Sequence, residues 1–163
     1  MDKATIDRIQ LLHPKLRDEA TQIYHEICDA LKGKAMCRFA YTLRTFAEQD
    51  ALYNAKPQVT KAKGGQSYHN YGLAIDIVLI TDKDGNGSFE TASWDMKTDF
   101  DGDGQADWME VVAIFKRHGW EWGGDWKFFD GPHFQKTLGY SIAQLQELHN
   151  KQIANKQTGY LPL

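Results

Sequence analysis

Cysteine is scarce in this chain: only Cys28 and Cys37 occur among 163 residues. Their C-x8-C spacing matches no metal motif, and Cys28 falls on the apolar face of a helical pattern, so both are expected as buried free thiols rather than a disulfide. Long hydrophobic runs are also missing. No stretch approaches the ~18 apolar residues of a membrane-spanning helix, and the polar start Met1-Asp2-Lys3-Ala4-Thr5 carries no secretory signal. Charge of one sign is lacking as well. A net charge of −3 gives no electrostatic footing for nucleic acid or an anionic membrane. What remains is an ordinary globular composition, 42% hydrophobic and 25% charged, with a length that suits one domain over 1–163. A monomer made in the cytoplasm is expected.

Apolar residues at helical spacing predict a helix over about 4–12 and a longer one over about 14–32, with Pro14 at the junction and Gly33 as the stop. A strand is expected over 35–43, a short helix over 46–55, a polar loop over 56–67, and a central strand over 73–80. Residues 81–106 are dense in Asp and Gly and carry little core, so 82–110 reads as an insertion. A helix from Asp107 to His118 follows, with Trp108, Val111, Val112 and Phe115 on one side. Short strands at 120–122 and 133–135, a last helix over 142–154 and an irregular tail from 156 complete the expected chain, with 141–163 as a C-terminal helix and tail.

Two segments carry chemistry. Ser67-Tyr68-His69-Asn70-Tyr71-Gly72-Leu73-Ala74-Ile75-Asp76 and Asp130-Gly131-Pro132-His133 together offer two imidazoles, one carboxylate, and a second carboxylate near the last His. Two His and one acid suit zinc with a position left open, the plan of catalytic rather than structural sites. On a strand Asp76 points away from Ile75 and Ile77, toward a cleft. A carboxylate in so apolar a strand is costly unless paired or bound to metal.

The order S-x-H-x-x-G-x-A-x-D followed by acid-x-x-H resembles the zinc peptidases that cut peptidoglycan stem peptides. That group contains D-alanyl-D-alanine carboxypeptidases and phage L-alanyl-D-glutamate endopeptidases. The second kind is the closer resemblance, supported by Leu43-Arg44-Thr45-Phe46-Ala47-Glu48-Gln49 and by Gly119-Trp120-Glu121-Trp122-Gly123-Gly124-Asp125-Trp126. The resemblance runs from about Ile6 to His133. It implies an α+β fold, with a small antiparallel sheet carrying the zinc site and helices packed on it. It also implies His69, Asp76 and His133 as zinc ligands, Asp130 as general base, and Arg44 as a cleft arginine that either steadies an oxyanion or binds a substrate carboxylate. Glu121 and Asp125 are the rival bases. Ser67, Gln49 and Tyr71 are substrate-contact candidates. Trp120, Trp122 and Trp126 read as core and cleft wall, and none of His13, His25, His118 or His149 is assigned to the metal.

The implied substrate is the peptidoglycan stem peptide. The implied setting is a phage lysis enzyme, released from the host bacterial cytoplasm by a separate membrane-permeabilising protein and lacking a wall-binding domain. Two alternatives stand beside it: a D-alanyl-D-alanine carboxypeptidase of the same fold, and a non-catalytic zinc/calcium binding module like the hedgehog-type signalling domains.

Calcium is the second expected ion. Asp99, Asp101 and Asp103 occupy positions one, three and five of a calcium-loop template, with Gly104 sixth, Gln105 seventh, Asp107 ninth and Glu110 twelfth. No entering helix precedes them, so the loop is grafted into an enzyme rather than part of an EF-hand domain. The run from Asp82 begins alike but puts Ser93 where a bidentate acid belongs.

Overall fold

The computed structural model describes residues 1–154 and 158–163. Asp2 accepts a hydrogen bond from Thr5 N and starts α1, Lys3–Ile9. Pro14 stands at the first turn of α2, Pro14–Ala30, where its missing N–H costs nothing. His13 before it is extended, as a residue preceding proline prefers. α1 ends at Ile9, earlier than the sequence predicts: Leu11 N and Leu12 N tighten onto Arg8 O and Ile9 O, and His13 N is taken by Gly72 O. Beyond α2, Lys32 and Gly33 both take positive φ and turn the chain into the sheet.

The strands are β1 (Ala35–Tyr41), β2 (Ala74–Thr81), β3 (Thr91–Ser93), β4 (Glu121–Trp122) and β5 (His133–Gln135). Their order is β1-β2-β5-β4, with β3 also on β2, and every pairing is antiparallel. The expected α+β class with a small antiparallel sheet is what the chain forms. β2 is the axis of the sheet: one edge pairs with β1 from Asp76 to Thr81, and the other with β5 at Ala74–Asp76 and β3 at Leu79–Thr81. β3 lies inside a segment expected to have no regular structure. Its three residues have no apolar alternation and are recruited by the open edge of β2.

Three further helices follow: α3 (Phe46–Asn54), α4 (Asp107–Arg117) and α5 (Ile142–Asn150). Thr45 and Ser141 close capping boxes on α3 and α5. α5 stops at Asn150, short of the expected Ala154, as Gln152 turns to positive φ. The tail expected from 156 lies outside the described residues at 156 and 157. From 158 it returns to the body: Tyr160 Oη donates to Leu11 O, His13 Nε2 bonds Leu161 O, and Leu161 and Leu163 are buried.

The core lies between α2, α4 and one face of β2. Ile75, Ile77 and Leu79 belong to one buried cluster with Leu16, Ile23 and Ile27, and Phe115 of α4 stacks on Phe134 of β5 at 4.1 Å between ring centroids. Burying such rings contributes roughly 1.5–3 kcal/mol each. Cys37 is buried and Cys28 half-buried against the core; both are free thiols. Trp120 and Trp122 are core residues, while Trp126 is partly exposed.

Candidate metal centre

The sheet register brings the two sequence segments together. Asp76 on β2 is directly opposite His133 on β5. The bond from Ile77 N to Pro132 O continues the ladder past His133. His69 reaches the same place from a short 3-10 turn, Tyr68–Tyr71, capped by the Ser67 hydroxyl. Gly72 ends that turn in the left-handed region, packed so tightly that a Cβ would lie 2.6 Å from His13 N.

His69, Asp76 and His133 present nitrogen and oxygen atoms that all lie within 4.8 Å of one another. Asp76 Oδ1 is 3.1 Å from His69 Nε2 and 3.0 Å from His133 Nδ1. The backs of both rings are committed. His69 Nδ1 lies 2.7 Å from Thr42 O, which can only accept, so the proton is on Nδ1 and the Nε2 lone pair faces inward. His133 Nε2 lies 2.9 Å from Gln135 Oε1, and Gln135 Nε2 donates to Glu121 Oε2, which fixes the amide. That leaves His133 Nδ1 facing the carboxylate. His69 Nε2 is buried without any hydrogen-bond partner among the described residues. Two ring nitrogens and a carboxylate oxygen thus converge lone pair to lone pair, an arrangement that calls for a shared cation. Spacings of 3.0–3.1 Å are close to the edge of a tetrahedron with zinc–ligand bonds of ~2.0–2.1 Å. The residues present therefore fit a zinc ion, with histidines backed by carbonyl, amide and carboxylate as such ligands ordinarily are.

Without an ion, the inward ring nitrogens can be bridged to the carboxylate by protons instead: burial works to raise Asp76, but hydrogen bonds from His133 and then His69 outweigh it and hold Asp76 well below the usual carboxylate range. His133 is raised: burial opposes its charge, and Asp76 overcomes that.

The group opens into a cleft of about 1050 Å³ whose wall includes Arg44, Gln49, Ser67, Trp126 and Asp130. Asp130 is pushed upward by burial, with His133 pulling the other way. Its backbone is pinned by Asp130 N donating to Gly123 O. A Cβ on Gly123 would come within 2.3 Å of Asp130 O, so only glycine lets the turn after β4 and the loop before β5 approach this closely. Trp122 Nε1 donates to Gly131 O at 2.7 Å, clamping the same loop. Arg44 donates to Gln49 Oε1 at 3.1 Å, and its guanidinium stands 3.8 Å from Asp76 Oδ2.

The remaining candidates fall elsewhere. Tyr71, expected at the cleft, is buried, and its hydroxyl is spent on Gly65 O. Asp125 is exposed in an ion pair with Lys116 and supports no histidine. Glu121 stands behind Gln135 rather than in the cleft. His118 caps α4 and pairs with Glu26. Gln135 and Thr42, which orient the two imidazoles, went unnoticed in the sequence. Gln135 was findable, because it shares a strand face with His133 two residues earlier. Thr42 acts through a backbone carbonyl and leaves no side-chain signal.

An open His/Asp/His group with a free carboxylate on the wall of the same cleft is the donor set of a metallopeptidase. The comparisons with known proteins narrow that class. Residues 60–136 match the family described as D-alanyl-D-alanine carboxypeptidase. The chain is 44% identical over 135 residues to the peptidoglycan L-alanyl-D-glutamate endopeptidase CwlK of Bacillus subtilis (strain 168), covering 76% of this chain and 72% of that protein. It is 31% identical over 123 residues to the L-alanyl-D-glutamate peptidase of Listeria phage A118, covering 74% of this chain but only 38% of the phage protein. The chain belongs to the D-alanyl-D-alanine carboxypeptidase family of peptidases. Among the described residues no helix is long and apolar enough to cross a membrane.

Proposed function

We propose that the chain is a zinc endopeptidase that hydrolyses the L-alanyl-D-glutamate bond of peptidoglycan stem peptides, in the setting of phage lysis. The observation that carries this reading is the convergence of His69 Nε2, Asp76 Oδ1 and His133 Nδ1 beside Asp130 in one open cleft. Both named relatives are L-alanyl-D-glutamate peptidases, which favours that bond over the terminal D-alanyl-D-alanine bond. His69, Asp76 and His133 hold the ion. Zinc, when bound, acidifies water to a pKa of about 7 and polarises a carbonyl oxygen.

Asp130 takes the proton of the attacking water and passes it to the departing amine as the C–N bond breaks. The products are a free L-alanine carboxyl and a free D-glutamate amine. A partly buried carboxyl with a raised pKa suits both halves of that transfer. Arg44, steadied by Gln49, supplies fixed positive charge for the developing oxyanion or for a carboxylate of D-glutamate. Ser67 and Gln49 line the substrate side of the cleft. Calcium, expected in the 99–110 loop, has no part in this chemistry.

The test is mass analysis of fragments from purified peptidoglycan. New L-alanine C-termini are expected. Free D-alanine would replace this reading with a carboxypeptidase, and zinc-loaded protein that cuts nothing would replace it with a binding module.

A further inference from the structure

The acidic loop between β3 and α4 lies away from the cleft and takes no part in the peptidase chemistry. Its backbone is wound around Asp99, whose Oδ1 accepts from Gly102 N and Asp103 N and whose Oδ2 accepts from Gly104 N. Such turns are common in solvent-exposed loops and prove nothing by themselves. The buried carboxylates do not fit that explanation. Asp107 is fully buried, and the Asp101 side chain is 1% exposed. Asp101 Oδ2, Asp107 Oδ2 and Glu110 Oε2 are each shut off from solvent; the last two have no hydrogen-bond partner among the described residues, and Asp101 Oδ2 has only the ion pair with Lys32.

Asp107 Oδ1 accepts from Phe100 N at 2.7 Å, which leaves its second oxygen, like Glu110 Oε2, buried with nothing to offset the cost. Carboxylate oxygens of Asp99, Asp101 and Asp107 lie within 4.8 Å of one another, as do those of Asp101, Asp103 and Glu110. Among the described residues the cation paired with this group is Lys32, whose ammonium stands 3.3 Å from Asp101 Oδ2 and 3.4 Å from Asp103 Oδ2. A single, half-exposed ammonium does not balance five acids.

We propose that residues 99–110 form a calcium site, with ligands from Asp99, Asp101, Asp103, the Gln105 carbonyl, Asp107 and Glu110. An all-oxygen donor set with several carboxylates suits a hard cation with many ligands and disfavours zinc. Asp107 and Glu110 belong to the first turn of α4, so the ion ties the loop to the helix that carries Trp108 and Phe115 into the core. The loop starting at Asp82 is the internal contrast. It has similar turns and three acids in reach of one another, but Asp84 and Glu90 are exposed, Asp82 is only partly buried, and none of their oxygens is buried without a partner.

The test uses the zinc-loaded full chain titrated with calcium chloride, followed by calorimetry and by melting. One calcium per chain is expected, and at a hundredfold excess over Kd the Tm should rise by about 5–10 °C. Terbium in place of calcium should show emission sensitised by Trp108, the tenth residue of the loop. Glu110→Gln and Asp103→Asn should each weaken calcium roughly tenfold or more, and Asp84→Asn should not. Asp103 is exposed, so its variant decides the matter if Glu110→Gln fails to fold. No heat and no Tm shift in the wild type at about 10 mM calcium, above the weakest range for such loops, would overturn the proposal. So would loss of the site in Asp84→Asn. These readouts do not involve hydrolysis and hold whichever bond the cleft cuts.

Discussion

Gln135 shows how much of the site depends on residues that never touch substrate. Its amide accepts from His133 Nε2 and donates to Glu121, so one side chain sets both the tautomer and the tilt of the ring. Gln135→Leu removes both bonds at nearly constant volume. It should weaken zinc by about 10–100-fold in a chelator competition, with little change in fold by circular dichroism. An unchanged zinc affinity would mean that the ring is held by packing alone. Gly123 makes the complementary point through its lack of a side chain. Gly123→Ala forces a methyl into Asp130 O and should displace the base loop. A shift of that kind costs on the order of 100-fold in rate, to be read as a lower kcat with zinc content unchanged.

The three converging side chains, His69, Asp76 and His133, and the base candidate stand out in the sequence because their residue types, order and spacing are distinctive. Gln135, Thr42 and Gly123 are not, because their roles arise only when β4 and β5 pair and the turn before β2 meets the end of β1.

Helices were easier to read than strands. α2 and α4 have clean apolar spacing and clear boundaries at Pro14, Gly33 and Gly119. β3 has neither and exists only because β2 offers an edge. α1 is short, and its start depends on Asp2, which caps the helix and takes both Arg38 Nε and Nη2 at 2.9 Å. The Arg38 hydrogen bonds, opposed by burial and aided by Thr5, hold the Asp2 carboxyl below its ordinary value of 3.8. The folded value is depressed, so this stabilisation is fully present above the ordinary value and is lost as pH falls through the folded one. Asp2→Ala should therefore cost about 1–2 kcal/mol in denaturant unfolding near pH 6, and the gap to wild type should close in strong acid. A gap that persists unchanged at about pH 2 would assign the loss to something other than the carboxylate.

At the scale of the molecule, the core and the cleft meet at β5. Phe134 faces the core and stacks on Phe115, while its neighbours His133 and Gln135 face the metal group. Truncation of Phe115 to Ala should cost about 3–5 kcal/mol in unfolding free energy. The α+β class and the place of the metal on the sheet follow from the resemblance. The strand order β1-β2-β5-β4 does not, since nothing in three-residue strands announces which neighbours they take. The central claim, a zinc peptidase with Asp130 as its base, is tested most directly by comparing wild type with Asp130→Asn for zinc content and for peptidoglycan hydrolysis. The account predicts one zinc per chain in both, with hydrolysis lowered by about 10²–10⁴-fold in the variant. A zinc-loaded Asp130→Asn protein that cuts as fast as wild type would contradict it.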